Sequence, residues 1–586
     1  MAKDFLRHNI THQQSSRTLQ SLQSLRQDLA IVEDPYLNNI WDDVLRLTAS
    51  AQAVKPQQYD SQIGDLTRRL RSFTDEFSNC QRTYQVIKSL VFVEIRRRFS
   101  LIPEAENSTN EWLMQEKTGF RKWLESGDGI FWVTGKAGSG KSTLMKFASE
   151  HHETENCLHK WAGTEKLHRG SFYFWNQGSE LQKSVEGLLR TFLCQIFRHA
   201  PELVPKVCAK APDAWTVGEL RKTLEAVFDM GCIAAKFCFF IDGLDEYHGD
   251  EEDIAHLLSF LSRHHGTIKL CVSSRPRPLL DDFFDGNRKT LTISDHTKDD
   301  MRRYVLHRLQ PNAKFQKFRA CDPVCGEIIS IIADIAKGVW LWVFLVTRDL
   351  VRAVNRNEGI TKLREILDRF PEDLEAYFKF IIDGVHPIHK QDMARIFLIT
   401  VEEVQPLPLF AFSLLEREKL DPLYAMKAPI SPLVGLAADE VKVQKDRLHN
   451  RCSDLLIVDD GPHPVFLDHP VDFLHRTVRD YLRDCHYQQL TDILKSQFQP
   501  LVSLGHMMLF LLKGLPPINI QKPTQITRLI QIVDELLYYA HEAEKLDGST
   551  TSPLAPILDE MDRVCTFFTA ASMRYHWTHL RDMPRV

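Results

Sequence analysis

The sequence predicts an α/β core, a parallel sheet with helices on both faces, flanked by mainly α-helical domains. Three stretches carry that expectation. In FWVTGKAGSGKSTLMKF (131–147) an apolar run passes through a glycine-rich turn into a helical pattern. In KFCFFIDGLDEYHGD (236–250) apolar residues lead straight into acids, and KLCVSSRPRP (269–278) repeats the apolar run ahead of serines and arginine. Runs without polar alternation read as strands buried on both faces, the condition of a parallel sheet covered by helices.

The first stretch carries the chemistry of a phosphate-binding loop. Gly135, Gly140, Lys141 and Ser142 stand at the GxxxxGK[ST] spacing. Gly135, Gly138 and Gly140 admit backbone conformations closed to residues with a Cβ, so the N–H groups of Ala137, Gly138, Ser139, Gly140, Lys141, Ser142 and Thr143 can converge on phosphate oxygens. These donors lie at a helix N-terminus, whose dipole also favours an anion. Lys141 adds a point charge for the β- and γ-phosphates, and Ser142 offers a hydroxyl to Mg²⁺. In the second stretch Asp242 closes the strand and is placed to complete the Mg²⁺ shell with Ser142. Asp245 or Glu246 then orients or deprotonates an attacking water, and the sequence does not rank the two. The third strand brings Ser273, Ser274 and Arg275 to the same end of the sheet. Arg275 there either senses the γ-phosphate or pairs with surface acids. The cofactors implied are ATP or GTP with Mg²⁺.

GKAGSGKS, FFIDGLDE and CVSSRP together resemble the NACHT type of signal-transduction NTPase in its fungal branch. The lead-in SLVFVEIRRRFSLIPEAENSTNEWL (Ser89 to Leu113), the stretch GSFYFWNQGSELQKSVEGLLRTFLCQI (Gly170 to Ile196) and the later GVWLWVFLV, FPEDLEAYF and VDFLHRTVRDYL are similar to landmarks of the same proteins. The nucleotide-binding part also resembles the nephrocystin-3-like pattern. The resemblance runs from about residue 85 to 485 and implies a NOD-like receptor plan: an N-terminal effector or adaptor, a nucleotide-dependent oligomerisation switch and a C-terminal repeat array. It further implies that His475, in FLHRT, contacts the β-phosphate of a bound diphosphate; the alternative is a structural core histidine. By resemblance, the base is held ahead of the phosphate loop, near Ile102, and adenine is favoured.

The chain has 586 residues, 43% hydrophobic and 26% charged, with a net charge of −5. That length fits several structural units, and the near-neutral balance argues against a dedicated nucleic-acid surface. The run Arg96–Arg98 reads as a solvated or ion-pairing helix face. Twelve cysteines without a regular framework, several inside apolar strands, fit reduced core thiols in the cytoplasm. Cys321 and Cys325 lack a second pair, and His463, His469 and His475 lack a fourth ligand, so zinc is not expected. The N-terminus lacks a secretory core, and no apolar run approaches the roughly 20 residues of a membrane span.

The pattern divides into a helical N-terminal region (1–88), the NTPase core (89–295), a helical lid (296–385), a winged-helix-like domain (386–487) and a helical tail (488–586). Residues 1–88 are too few for the HeLo-like cell-death domain of related receptors and read as a helical adaptor or remnant. Strand-like pieces are expected at DLLIVDDG and HPVFLDH. The tail shows no repeat period of about 20–50 residues, a departure from the receptor plan. The leading expectation is therefore a slow NTPase that switches conformation, oligomerises and meets protein signalling partners. A turnover NTPase remodelling a protein or nucleic acid, and a nucleotide-stabilised scaffold, are the alternatives.

Overall fold

The structure, a computed structural model, describes residues 79–569 apart from 93–94, 107, 177, 209–213, 230–234, 265, 285–288, 314, 318–323, 357, 434, 454, 461–466, 496–497, 518–522 and 548–553. The expectations for residues 1–78, for Cys321 and for His463 lie outside the described residues. The chain divides into a smaller unit, up to Val93 with Leu189–Ile233, and a larger one, Glu94–Leu188 with Ala234–Val586.

In the smaller unit a helix over 79–90 carries Ser89 in its last turn, whose carbonyl accepts from Arg190 Nη1 at 3.1 Å and whose hydroxyl accepts from Trp215 Nε1 at 2.9 Å. Thr216 and Glu219 form a capping box that opens the helix Val217–Phe228. Leu220, Leu224, Val227 and Phe228 then fall on one buried face.

The larger unit is built on a five-stranded parallel sheet: β1 (Gly129–Thr134), β2 (Lys166–Tyr173), β3 (Ala235–Asp242), β4 (Ile268–Ser274) and β5 (Lys289–Thr292), in the order β2-β3-β4-β1-β5. Both faces are covered, which is why the strands carry no polar alternation. On one face Phe131, Val133, Phe240 and Cys271 pack with Phe120, Trp123, Leu144 and Met145. On the other Trp132 stacks on Phe284 at 4.5 Å. Because β4 lies between β1 and β3, the phosphate loop after β1, Asp242 at the end of β3 and Ser273–Arg275 after β4 meet at one edge.

From residue 298 the chain is mainly helical: Lys298–Leu309, Val324–Ile335, Trp340–Asn355, Ile360–Asp368, Leu374–Asp383, Lys390–Glu402, Leu409–Leu420, Ala438–Cys452, Arg476–Tyr481, Pro500–Lys513, Pro523–Asp547 and Ala555–Thr569. One hydrophobic cluster runs through them from Met301 to Cys565. It also holds a buried cation, Lys513, which donates to the carbonyls of Ala425, Met426 and Ala428 and pairs with Glu560 at 2.6 Å. A two-stranded antiparallel sheet, β6 (Leu456–Val458) and β7 (Val471–Phe473), is set among these helices. Of the described residues of HPVFLDH, where a second strand is expected, Leu467 and His469 take left-handed φ of 68° and 64°; the His469 carbonyl accepts the Leu409 N–H, Pro470 bridges Pro408, and the ladder with β6 runs over Val471–Phe473. Among the described residues no helix is long and apolar enough to cross a membrane.

Candidate nucleotide-binding site

The loop after β1 gathers its donors through two left-handed glycines, Gly138 (φ 68°) and Gly140 (φ 86°), the second capping the helix Lys141–Glu150. A Cβ at Gly138 would stand 3.0 Å from Leu341 and one at Gly140 3.0 Å from Trp340, so the glycines also admit the start of the helix Trp340–Asn355. That helix is tied down by a backbone bond, Leu341 N–H to the Gly138 carbonyl at 3.0 Å. Lys141 Nζ folds back onto the carbonyls of Gly135 (2.7 Å) and Lys136 (2.8 Å), and burial lowers its pKa.

Asp242, buried at the end of β3, accepts a hydrogen bond from Ser273 Oγ at 2.5 Å and one from the Ser142 hydroxyl; burial raises its pKa. Asp245 and Glu246 part ways. Asp245 Oδ1 accepts the Arg275 backbone N–H at 3.0 Å and its Oδ2 pairs with Arg275 Nε at 3.2 Å. Glu246 Oε2 accepts the Asn176 N–H at 3.1 Å, while Oε1 faces Arg476 Nη1 at 3.3 Å. Arg275 and Arg476 both reach Asp480, at 3.2 and 3.4 Å.

His475 caps the helix Arg476–Tyr481. Its Nδ1 accepts the Thr477 N–H at 3.1 Å, which leaves the proton of the neutral ring on Nε2. Burial first, and then the charges of Arg98, Arg275, Lys141 and Arg476, push its pKa down to about 3.

These groups line one cavity of ≈ 840 Å³. Of the residues singled out in the sequence, Ala137 to Thr143, Asp242, Asp245, Glu246, Arg275 and His475 all reach it, as does Ile102. Gly135 does not; its α-carbon lies behind the loop, where a Cβ would strike Ile293. Arg275 lines the cavity and pairs with acids, of which Asp245 is buried and not a surface acid. Sequence reasoning missed Arg98, Tyr304, Trp340 and Arg476. For Arg476 a signal existed in its i,i+4 spacing to Asp480.

Residues 108–275 match the family described as nephrocystin 3, N-terminal, and residues 384–522 match a domain of unknown function (DUF7791). The fold is that of a P-loop NTPase. No curated protein matches the chain. Among solved structures, the chain is similar to Drosophila ORC bound to DNA (11% identity, 69% of this chain and 92% of that one, TM-score 0.31) and to Cdc6p from Pyrobaculum aerophilum (11%, 68% and 97%, 0.28). It is also similar to the Aeropyrum pernix ORC1 protein in complex with DNA (11%, 69% and 98%, 0.28). At that distance the likeness decides nothing about ligand or partner.

The P-loop core fits a magnesium-bound nucleotide on its own geometry. The hydroxyls of Thr134 and Ser139 are buried without a hydrogen-bond partner, beside a loop of converging N–H groups. The described residues hold no group of three or more His, Cys, Asp or Glu able to seat a metal. A Ser142–Asp242 pair suits an ion that takes few protein ligands and keeps phosphate and water.

Proposed function

We propose that the chain is a nucleotide-dependent conformational and oligomerisation switch of the fungal NACHT, NOD-like receptor type. It binds ATP or GTP with Mg²⁺, hydrolyses it slowly and acts in the cytoplasm, with a second copy of itself and protein signalling partners as its contacts. The observation that carries this reading is the makeup of the cavity wall. One side is the sheet edge with its loop and acids; the other is His475 and Arg476 from the helical region, and Arg476 pairs with Glu246.

The bound magnesium nucleotide supplies the terminal phosphoryl group and the charge around it. Ser142 and Asp242 hold the metal, the loop N–H groups and Lys141 hold the phosphates, and Asp245 orients Arg275 toward them. Glu246 is the base for the attacking water, and its pairing with Arg476 keeps it occupied while the walls are closed. Withdrawal of the Arg476 wall frees Glu246 and uncovers the surface through which copies associate. Free energy for the change comes from the different affinities of the closed and open forms for diphosphate and triphosphate.

The test is the mass in solution, by light scattering, of the full chain with ADP and with non-hydrolysable ATP and GTP analogues, beside its hydrolysis rate. A discrete oligomer with an analogue, and turnover well below about one per second, is the expected result. Unchanged mass with rapid turnover would overturn the switch in favour of a remodelling NTPase.

A further inference from the structure

We propose that Arg98 is a phosphate-binding arginine, supplied in cis from the segment ahead of β1, that holds the terminal phosphate of a bound nucleoside triphosphate. The proposal rests on the nucleotide reading above and adds a residue to it.

Arg98 sits on a short helix, Arg97–Leu101, whose position is fixed by the helix that the phosphate loop opens. Lys146, buried on that second helix, donates from Nζ to the Ile102 carbonyl at 2.9 Å, pairs with Glu104 at 2.6 Å and lies over the Phe99 ring at 4.9 Å. Arg98 is therefore seated by the same helix that seats Lys141. Its guanidinium lies 5.8 Å from the centre of the Trp175 ring. Trp175 follows β2, whose last residue, Tyr173, is in register with Asp242. Arg98 lines the cavity together with Lys141, Ser142, Asp242 and His475, and its charge acts on both Asp242 and His475.

Of the other cations of this wall, Arg275 and Arg476 pair with Asp245, Glu246 and Asp480, Lys141 donates to loop carbonyls, and Arg97 lies over the same Trp175 ring at 5.7 Å. Among the described residues the Arg98 side chain makes no ion pair, and its Nε, like Nε and Nη1 of Arg476, is buried without a hydrogen-bond partner. A guanidinium set over an indole face and without an ion pair is organised for a multidentate anion such as a phosphate. The loop N–H groups enclose the β-phosphate. A terminal phosphate would lie beyond those donors, beside Ser142 and Asp242, and Arg98 lines the same cavity.

The experiment is calorimetric titration of the full chain, wild type, Arg98→Ala and Arg98→Lys, with a non-hydrolysable triphosphate analogue and with the diphosphate. Arg98→Ala should weaken the triphosphate at least about tenfold, the usual worth of a charged hydrogen bond, and leave the diphosphate unchanged; Arg98→Lys should fall between. Equal loss for both nucleotides, or no loss for either, would overturn the proposal. Arg98→Gln, which keeps the stem over Trp175, is read by the same ratio if the alanine variant does not fold. A wild-type chain that binds neither nucleotide would instead defeat the nucleotide reading itself, so the two failures are told apart.

Discussion

The two walls of the cavity are held by different kinds of interaction. On the sheet side, Asp242 is fixed by the hydroxyls of Ser142 and Ser273, and the loop by glycine geometry and its own backbone. On the helical side, among the described residues, contact with the loop and acids is made by the packing of Trp340 and Leu341 on the loop glycines, the Leu341 to Gly138 backbone bond, and arginine–carboxylate pairs that join Arg275 and Arg476 to Asp480 and Arg476 to Glu246. Hydroxyl–carboxylate bonds at the buried end of a parallel sheet are shielded from solvent. Ion pairs at a cavity wall exchange partners, because an incoming phosphate competes for the same cations. The difference makes the sheet wall the fixed half of the site and the helical wall the half that can move.

The sharpest way to test the division is through the two acids that bridge it. Glu246→Gln should slow hydrolysis by about 10²- to 10⁴-fold, the range for losing a general base, while triphosphate binding persists. Asp245→Asn, which loosens Arg275 without removing the base, should cost about tenfold. Single-turnover assays with both variants decide it, and the reverse order would assign the base to Asp245. Next in size, Lys141→Ala should weaken triphosphate binding about 100-fold, roughly 3 kcal/mol for a charged donor to phosphate. Circular dichroism should be unchanged, since the lost bonds are to exposed or half-buried loop carbonyls. Normal binding by that variant would remove the loop from the site.

The fixed wall is also the legible one. β1, β3 and β4 announce themselves as apolar runs because both faces of each are buried, and the loop residues because phosphate chemistry dictates their spacing. β5 is hidden: it is a four-residue edge strand, KTLT, with two exposed positions and no pattern to detect. The movable wall depends on partners far apart in the chain. Nothing around Arg476 says that it meets Glu246, and nothing in the run Arg96–Arg98 says that Arg97 and Arg98 line the cavity, since a helix of one turn is too short to show periodicity. HPVFLDH has the composition of a strand, and the left-handed backbone at Leu467 and His469, just ahead of β7, is invisible to composition.

Arg476→Ala attacks the movable wall alone. Its side chain is 15% exposed and that of Glu246 13%, so the pair lies between the surface and fully buried cases, worth roughly 2 kcal/mol. Its loss should shift the equilibrium toward the open form about 30-fold, seen as oligomer without added triphosphate and as faster turnover. Raising ionic strength should move the wild type in the same direction by less, as screening weakens the pairs. A variant that stays monomeric with unchanged turnover would show that the Leu341 bond and the shared core hold the wall without Arg476.

The smallest expected effect concerns His475, which the closed wall keeps neutral among Arg98, Arg275, Lys141 and Arg476. A pKa of about 3, against an ordinary value near 6.5, means that between those values the unfolded chain binds a proton the folded chain refuses. Stability from this residue is therefore complete above about pH 6.5 and declines as pH falls toward 3, by at most about 1.4 kcal/mol at pH 5.5. His475→Asn keeps an acceptor for the Thr477 N–H, since Asn is a good N-cap, and removes the titration. Urea unfolding at pH 7.5 should give the two proteins similar stability, and at pH 5.5 the variant should gain relative to wild type. Opening exposes the imidazole and lets it take its proton, so the same fall in pH should also favour the open form of the wild type and leave the variant unmoved. Parallel stability curves would mean that His475 is already protonated through a wall open in solution, and the two walls would then differ less than their contacts indicate.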